Sequence, residues 1–410
     1  MIGTAATVLV VLLTSSLAIR VWLGSRQIGH IRRHCELSAS ERRDRLADRD
    51  RAVADQAVAR IVLDVVAAGA QVVLIATLTL GGGLAWLGRL LPPGTASAAA
   101  IVTAAVLLLV LVRIAAEACR RFGVDGRLGL NRMTARSFAA DAAKSIAMAG
   151  ALAGVAGGAL TWLMETDRAN WWIWAALLLG GGLTVQAWLH PVIVAPLFAR
   201  STLLPDGPLR ERLTILLRRC GFSRTAIVVT DDSRRSARAN ARAVGMAGAC
   251  RIELSDTLVS LLATDEIEAV TAHEAGHLRL HHRGKDLVAR ILLGIVASAG
   301  FRALAGTPDV TGALGLSHET PAVSIAAFVL MVPILGLFLM PLASCWYRHL
   351  EYEADAFAAR HADPENLARA LRKLDAANAT TPSSDPLYAA FFSGHPEPQA
   401  RLRRTLLSIE

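Results

Sequence analysis

Long apolar stretches alternate with short polar connections along this chain, on a scale set by a bilayer rather than by a soluble core. Seven stretches approach or exceed the roughly 20 residues that a membrane-spanning helix needs. They lie at approximately 3–23, 61–90, 98–118, 145–164, 171–195, 287–305 and 321–346. The sixth is the weakest, because Arg290 and Arg302 bracket a short apolar centre. The seventh contains Pro333 and Pro341, which a spanning helix tolerates where neighbours satisfy the freed carbonyls. The opening stretch has no basic segment ahead of it and no small-residue cleavage site, and arginines follow it directly. It reads as a signal anchor rather than a cleaved leader.

Between the fifth and sixth stretches the periodicity changes. Residues 196–286 read as an α/β-type insert: a helix over Leu209–Arg219, a turn at Cys220–Gly221, and a β-branched strand at Ala226–Thr230. A further extended pair is expected at Ala239–Val244 and Cys250–Leu254, with Asp256 as N-cap of a helix over Thr257–Ala263. The next helix starts near Thr264 and runs through His273. Thr264-x-x-Ile267 lacks a capping-box glutamate, while Asp265 and Glu266 suit a positive helix N-terminus. Ala379–Pro386 reads as a surface loop.

Composition agrees with a membrane protein. Of 410 residues, 53% are hydrophobic and only 19% charged, and the charges crowd into a few segments. Mean hydropathy is +0.43. The net charge of +9 comes from 43 basic against 34 acidic residues, and Lys144, Lys285 and Lys373 are the only lysines. The bias toward Arg, Ala and Gly reads as the base composition of a GC-rich, bacterial-type genome, and nucleic acid is not an expected partner. Arginines crowd 24–60 and 119–144, whereas 91–97 and 306–320 have no Lys or Arg. Seven spans with the N-terminus outside place both basic loops in the cytoplasm, together with 196–286 and 347–410. The expected location is the cell (plasma) membrane. Five scattered cysteines without C-x-x-C suggest neither a disulfide framework nor a thiolate metal site.

The chemistry sits in His273-Glu274-Ala275-Gly276-His277, an H-E-x-x-H motif on a helical pattern. Positions four apart share a helix face, so both imidazoles can reach one zinc ion. Glu274, one position round, can take a proton from water at the metal without using a coordination position. A catalytic zinc keeps three protein ligands and one open place. Downstream, His349-Leu350-Glu351-Tyr352-Glu353-Ala354-Asp355 follows the last apolar stretch directly. Spacing favours Glu351 as the third ligand while leaving Glu353 open. Asp355 shares the face of Glu351 and is placed to hydrogen-bond a ligand imidazole. His281 and His282, at the end of the motif helix, suit its C-terminal dipole and read as structural.

In these motifs, and in Asn240-Ala241-Arg242-Ala243-Val244-Gly245 and His395-Pro396 through Arg401, the chain resembles the type I CaaX prenyl proteases, integral-membrane gluzincin zinc metallopeptidases. The resemblance runs from about Phe122 to Arg401. It implies a mostly α, polytopic membrane protein of about seven transmembrane helices with a gluzincin-type α+β catalytic domain. It divides the chain into a five-span membrane domain (1–195), a catalytic insert with edge strand and H-E-x-x-H helix (196–286), two further spans (287–346) and a C-terminal cytoplasmic helical part (347–410). It implies one Zn²⁺ per chain on His273, His277 and Glu351, with Glu274 as base. Asp355 would orient the site, His395 would lie near the scissile bond, and Arg401 would support the acidic helix. Asn240, Ala241 and Gly245 would belong to an edge strand that aligns substrate by β-addition. The spans would surround a chamber whose wet interior suits Arg113, Arg290 and Arg302, with snorkelling at span ends an equal alternative for Arg290 and Arg302. Arg242 departs from the family, which commonly has an aromatic residue there, so the reaction carries over further than the substrate.

The expected partners are a peptide or protein substrate near the membrane and the lipid bilayer, with the chain working as a monomer. A quality-control protease of the heat-shock type shares the chemistry, but those relatives have fewer spans before the zinc helix. A transporter or non-proteolytic binding protein of the same fold would have no use for Glu274.

Overall fold

The structure, a computed structural model, describes residues 4–41, 45–92, 94–223, 225–245, 250–305, 320–381, 383–397 and 400–401. Its first half is helical: α1 (Thr4–Glu41), α2 (Arg45–Leu78), α3 (Gly83–Leu90), α4 (Thr95–Ala118), α5 (Ala135–Thr166), α6 (Trp171–Leu189) and the short α7 (Ala195–Phe198). Two π-helical turns, Cys119–Asp125 and His190–Val194, prolong α4 and α6. Among the described residues, seven helices are long and apolar enough to cross a membrane: Thr4–Cys35, Arg51–Leu78, Thr95–Asp125, Ala135–Thr166, Trp171–Phe198, His282–Leu304 and Pro321–His361. Their outward faces keep large apolar side chains uncovered, such as Leu152, Val155, Val296 and Leu342. Lipid is the solvent that suits such surfaces.

The second span departs from the sequence expectation of 61–90. The helix stops at Leu78, turns through Thr79–Gly82, and α3 starts afresh at Gly83. The cause is the run Gly81-Gly82-Gly83, in which Gly82 takes a left-handed φ of 72° that ends a helix cheaply. Elsewhere close packing comes from small residues. A methyl group at Gly157 of α5 would lie 2.7 Å from Val102 Cβ of α4, so these two helices meet almost at backbone distance.

The insert follows. β1 (Ser201–Leu203), α8 (Pro208–Arg219), β2 (Ala226–Thr230), β3 (Ala241–Val244) and β4 (Arg251–Ser255) lead into α9 (Asp256–Leu261) and α10 (Thr264–Arg279). The sheet order is β1-β2-β4-β3, with β2 and β4 parallel and the outer strands antiparallel to their neighbours. Two capping expectations change. Ser255, not Asp256, caps α9: its hydroxyl accepts the Leu258 N–H, while Asp256 accepts the Ser233 N–H at 2.9 Å. Glu266 does act at the start of α10, because the N-cap is Ala263, whose N–H it accepts at 2.9 Å.

The remaining helices are α11 (His282–Leu304), α12 (Pro321–His361), α13 (Pro364–Asn378) and α14 (Pro386–Phe392). α12 runs unbroken through Pro333 and Pro341. It joins two apolar cores. Its N-terminal half contributes Ile325, Ala326 and Leu330 to the bundle core with Leu13, Ile75 and Ile101. Its C-terminal half contributes Phe357 and Ala358 to the insert core with Leu213, Leu254, Ile267 and Ala275. One continuous helix therefore fixes the insert on the bundle.

Candidate active site

α10 and α12 touch where the motifs lie. A methyl group at Gly276 would stand 3.2 Å from Ala354 Cα, from the Ala354 carbonyl oxygen and from Phe357 Cβ. The missing side chain lets the two backbones close, which brings the imidazoles of α10 over the carboxylates of α12. Among the described residues, His273, His277 and Glu351 have ligand atoms that all lie within 4.8 Å of one another.

The spacing within this group is that of a metal cradle. The two Nε2 atoms are 3.2 Å apart, and the Glu351 oxygens lie 3.6 Å from His273 Nε2 and 3.4 Å from His277 Nε2. Zinc–ligand bonds of about 2.0–2.1 Å at tetrahedral angles separate ligand atoms by about 3.3 Å. Glu351 Oε2 is also buried with no hydrogen bond of acceptable geometry, although His395 Nδ1 stands 3.0 Å away. Such a buried carboxylate oxygen is costly unless a cation meets it. The donor set, two imidazoles and one carboxylate, fits zinc.

Each imidazole is held from behind. His273 Nδ1 is 2.9 Å from Asp355, which Arg401 grips with two nitrogens at 2.6 and 2.8 Å. Asp355 and Arg401 are both buried. Burial opposes charge on His273, but the bond to Asp355 together with the charges of Asp355 and Glu351 outweighs it and raises its pKa. Burial likewise opposes charge on Arg401, and Asp355 with Glu351 and Asp375 more than restores it. On the other side, His277 Nδ1 is 2.9 Å from His282 Nδ1, and His282 Nε2 is 3.0 Å from Glu353. His282 thus stands behind His277, and Glu353, the open alternative to Glu351, meets His282 instead. The reason is His281, whose left-handed φ of 56° reverses the chain at the end of α10 and turns His282 back onto it.

Glu274 faces the sheet. Its carboxylate accepts the Ala243 N–H at 2.6 Å, which shows that this N–H points away from β4. By strand alternation Ala241 shares that outward edge. Asn240 is turned the other way: its carbonyl accepts the Ser255 N–H and its own N–H meets the Ser255 hydroxyl, leaving its exposed side chain for other partners. Gly245 follows the end of β3 with φ 103°. Arg242 is paired with Glu253 at 2.8 Å, which Arg251 also holds.

A cavity of about 1230 Å³ lies among the spans, lined by Arg20, Asp64, Arg113 and Glu117 and reaching Asn240 at the head of the edge strand. Arg113 thus lines this cavity beside other charged side chains, whereas Arg290 and Arg302 are not among the residues lining it, and Arg290 pairs with Asp286 at 2.5 Å. Two supports of the edge strand had no sequence signature. Buried Asp125, at the π-helical end of α4, binds Arg60 of α2 and Arg238 at 2.8 and 3.1 Å. Asn378 brackets Ala239, accepting its N–H and donating to its carbonyl.

Known proteins carry the same plan. Residues 204–407 match the model of peptidase family M48, and residues 27–200 match that of the CAAX prenyl protease N-terminal region of five membrane helices. A CAAX prenyl protease 1 homolog of Arabidopsis thaliana is 31% identical over 288 residues, covering 69% of this chain and 67% of the relative. CAAX prenyl protease 1 of Saccharomyces cerevisiae is 31% identical over 307 residues, covering 68% and 66%. The chain thus spans about two thirds of these relatives' lengths. The crystal structure of S. mikatae Ste24p superposes with a TM-score of 0.86 over 98% of both chains at 22% identity, a likeness of fold.

Proposed function

The chain belongs to peptidase family M48 as a multi-pass membrane metalloendopeptidase, and on that premise we propose that it holds one Zn²⁺ on His273, His277 and Glu351 and cleaves peptide or protein tails at the membrane face. The observation that carries this reading is the triangle of ligand atoms, with edges of 3.2, 3.4 and 3.6 Å. A zinc ion supplies Lewis acidity there, polarising the scissile carbonyl and acidifying water.

The chain's own residues do the rest. Substrate adds to the outer edge of β3, where the backbone groups of Ala241 and Gly245 set its register and the Asn240 side chain contacts it. The Glu274 carboxylate is held against that edge by the Ala243 N–H. From there it takes the proton of the attacking water and hands it to the departing amine nitrogen. Asp355, gripped by Arg401, keeps the Nδ1 proton of His273 in place, so that Nε2 presents its lone pair. His395, whose side chain is 77% exposed, rests Nδ1 on Glu351 and presents its other ring nitrogen to bound substrate.

In this reading 1–195 is the membrane domain, 196–286 the catalytic insert, 287–346 the last two spans and 347–410 the C-terminal part. The N-terminus is outside and the site faces the cytoplasm of a cell bounded by the plasma membrane, because the arginine-rich 24–60 and 119–144 lie on that side. The relatives' names point to a CaaX-type tail as the first substrate to try. The test uses purified monomeric protein in detergent. Wild type is expected to hold one zinc per chain and to cleave a farnesylated CaaX peptide, while Glu274→Gln keeps the zinc and loses at least a hundredfold in rate. Wild-type protein without zinc, or equal cleavage by both forms, would remove the assignment.

A further inference from the structure

We infer that His282 is a positioning residue for the metal: together with Glu353 it fixes the tautomer of His277, so that Nε2 of His277 always presents a lone pair to the cradle. This rests on the zinc reading of His273, His277 and Glu351.

A neutral imidazole has one N–H and one lone pair, and its neighbours decide which nitrogen has which. The decision here starts at Glu353. Its carboxylate is acceptor-only, so the His282 nitrogen 3.0 Å away, Nε2, carries the hydrogen. Burial of the His282 ring, 4% exposed, favours its neutral form, and Lys285, 3.2 Å from the same carboxylate oxygen, adds to this only slightly. The His282 lone pair is therefore on Nδ1, and Nδ1 faces His277 Nδ1 at 2.9 Å. Two lone pairs cannot share that gap, so His277 Nδ1 carries the hydrogen and donates it. What remains at His277 Nε2 is a lone pair, 3.2 Å from His273 Nε2 and 3.4 Å from Glu351. Two hydrogen bonds, polarised in the same direction, thus run from the ligand imidazole to Glu353.

Without this relay His277 could place its proton on Nε2, between itself and His273, where it would exclude a cation. His282 is buried and stays in place through the packing of its ring, edge-on to that of His277 at 4.9 Å between centroids. Its position depends on the reversal at His281, since an ordinary helical continuation of α10 would carry residue 282 round and away from residue 277. Groups that stand behind a metal-bound histidine in this way are worth about 10- to 100-fold in metal affinity.

The experiment measures the equilibrium zinc affinity of metal-stripped, full-length protein in detergent, by competition with a chelator at fixed pH. Thermal unfolding of each metal-free variant is followed alongside. His282→Leu removes the acceptor and is expected to weaken zinc binding about 10- to 100-fold. His282→Asn, whose Oδ1 stands where Nδ1 stood, is expected to recover most of that loss. Wild-type affinity in His282→Leu, or an Asn variant as weak as Leu, would overturn the inference, the latter because packing alone would then explain the loss. If His282→Leu fails to fold, the half-exposed Glu353→Leu decides: a loss of up to about tenfold supports the relay, and no change overturns it. Failure of the wild type to bind zinc is a different result, which removes the cradle itself.

Discussion

The two imidazoles of the cradle are supported in opposite ways. Behind His273 stands a compact, buried ion pair, with the Asp355 side chain 3% and the Arg401 side chain 9% exposed. Behind His277 the support passes through a second imidazole to Glu353 and Lys285, which are 33% and 41% exposed. The first arrangement draws on α10, α12 and the C-terminal segment around Arg401, so it depends on the assembled fold. The second joins the α10–α11 corner to Glu353 of α12 and meets solvent. Charges out of water are hard to leave unpaired, whereas charges near water are easily replaced by it. The two sides should therefore fail differently: the His273 side through stability, the His277 side through metal affinity alone.

The largest effect is expected from Asp355→Leu. It leaves the Arg401 guanidinium buried without its two-pronged partner, and breaking such a pair costs about 3–5 kcal/mol. The melting temperature in detergent should fall by several degrees, and zinc should be lost with it. A fall no larger than that of Glu353→Leu would break the contrast between the two sides.

Next comes Gly276→Ala, which acts on both sides at once. The new methyl group meets backbone of Ala354 at 3.2 Å, and backbone on either side cannot step aside as a flexible side chain can. Overpacking of this kind costs about 1–3 kcal/mol, partly offset by the roughly 1 kcal/mol by which alanine favours a helix over glycine. Because α10 and α12 would move apart, zinc affinity should fall more than stability. If affinity measured by chelator competition stays at the wild-type level, contact between the two backbones is not what sets the spacing of the cradle.

How much of this could be read from the chain follows from the range of each interaction. His273, Glu274 and His277 sit within one helical turn, so spacing alone announces them. Glu351 lies far along the chain, and spacing favoured it only modestly over Glu353, because both precede Asp355 on one helix; the resemblance pointed the same way. Each apolar stretch falls on one of the seven candidate spans, since bilayer thickness imposes an apolar length, but helices such as Ala135–Thr166 and Pro321–His361 run well past its ends, where composition turns polar and the backbone stays helical. The second span failed at Gly81-Gly82-Gly83, where composition still looked apolar but the backbone had no reason to stay helical. The place of His282 behind His277 was not legible, because it turns on a left-handed residue at 281, a conformation uncommon for any non-glycine residue. Asp125 and Asn378 were invisible for a simpler reason: each acts on residues more than a hundred positions away, at Arg238 and Ala239.

Glu266 offers a control that should not distinguish the two sides, because it anchors the whole of α10. It accepts the Ala263 N–H and the Lys373 ammonium, at 2.9 and 2.7 Å. Burial pushes its pKa up, but these partners outweigh burial and hold it below the ordinary glutamate value. A depressed folded pKa means that the stabilisation is complete above the unfolded value, about 4.3, and is lost as pH falls through the folded one. Glu266→Gln should thus cost about 1 kcal/mol at pH 7, in the range of lost helix caps. The gap in melting temperature from wild type should close as pH drops below about 4. A gap independent of pH would mean that packing, and not the carboxylate, is what the substitution removes.

The smallest effect is expected at Lys285, and it sharpens the contrast most. Its ammonium shares one Glu353 oxygen with His282, at 3.2 Å, on a half-exposed surface. An exposed pair of this kind is worth about 0–1 kcal/mol and is screened by salt. Lys285→Met should therefore shift zinc affinity by no more than about twofold to threefold at low ionic strength, and by nothing measurable near 1 M salt. The hydrogen bond from His282 Nε2 to Glu353 does not need the lysine, because the carboxylate stays an acceptor with water as its other partner. A tenfold loss that persists at high salt would place Lys285 inside the relay, and the His277 side would then depend on buried charge much as the His273 side does.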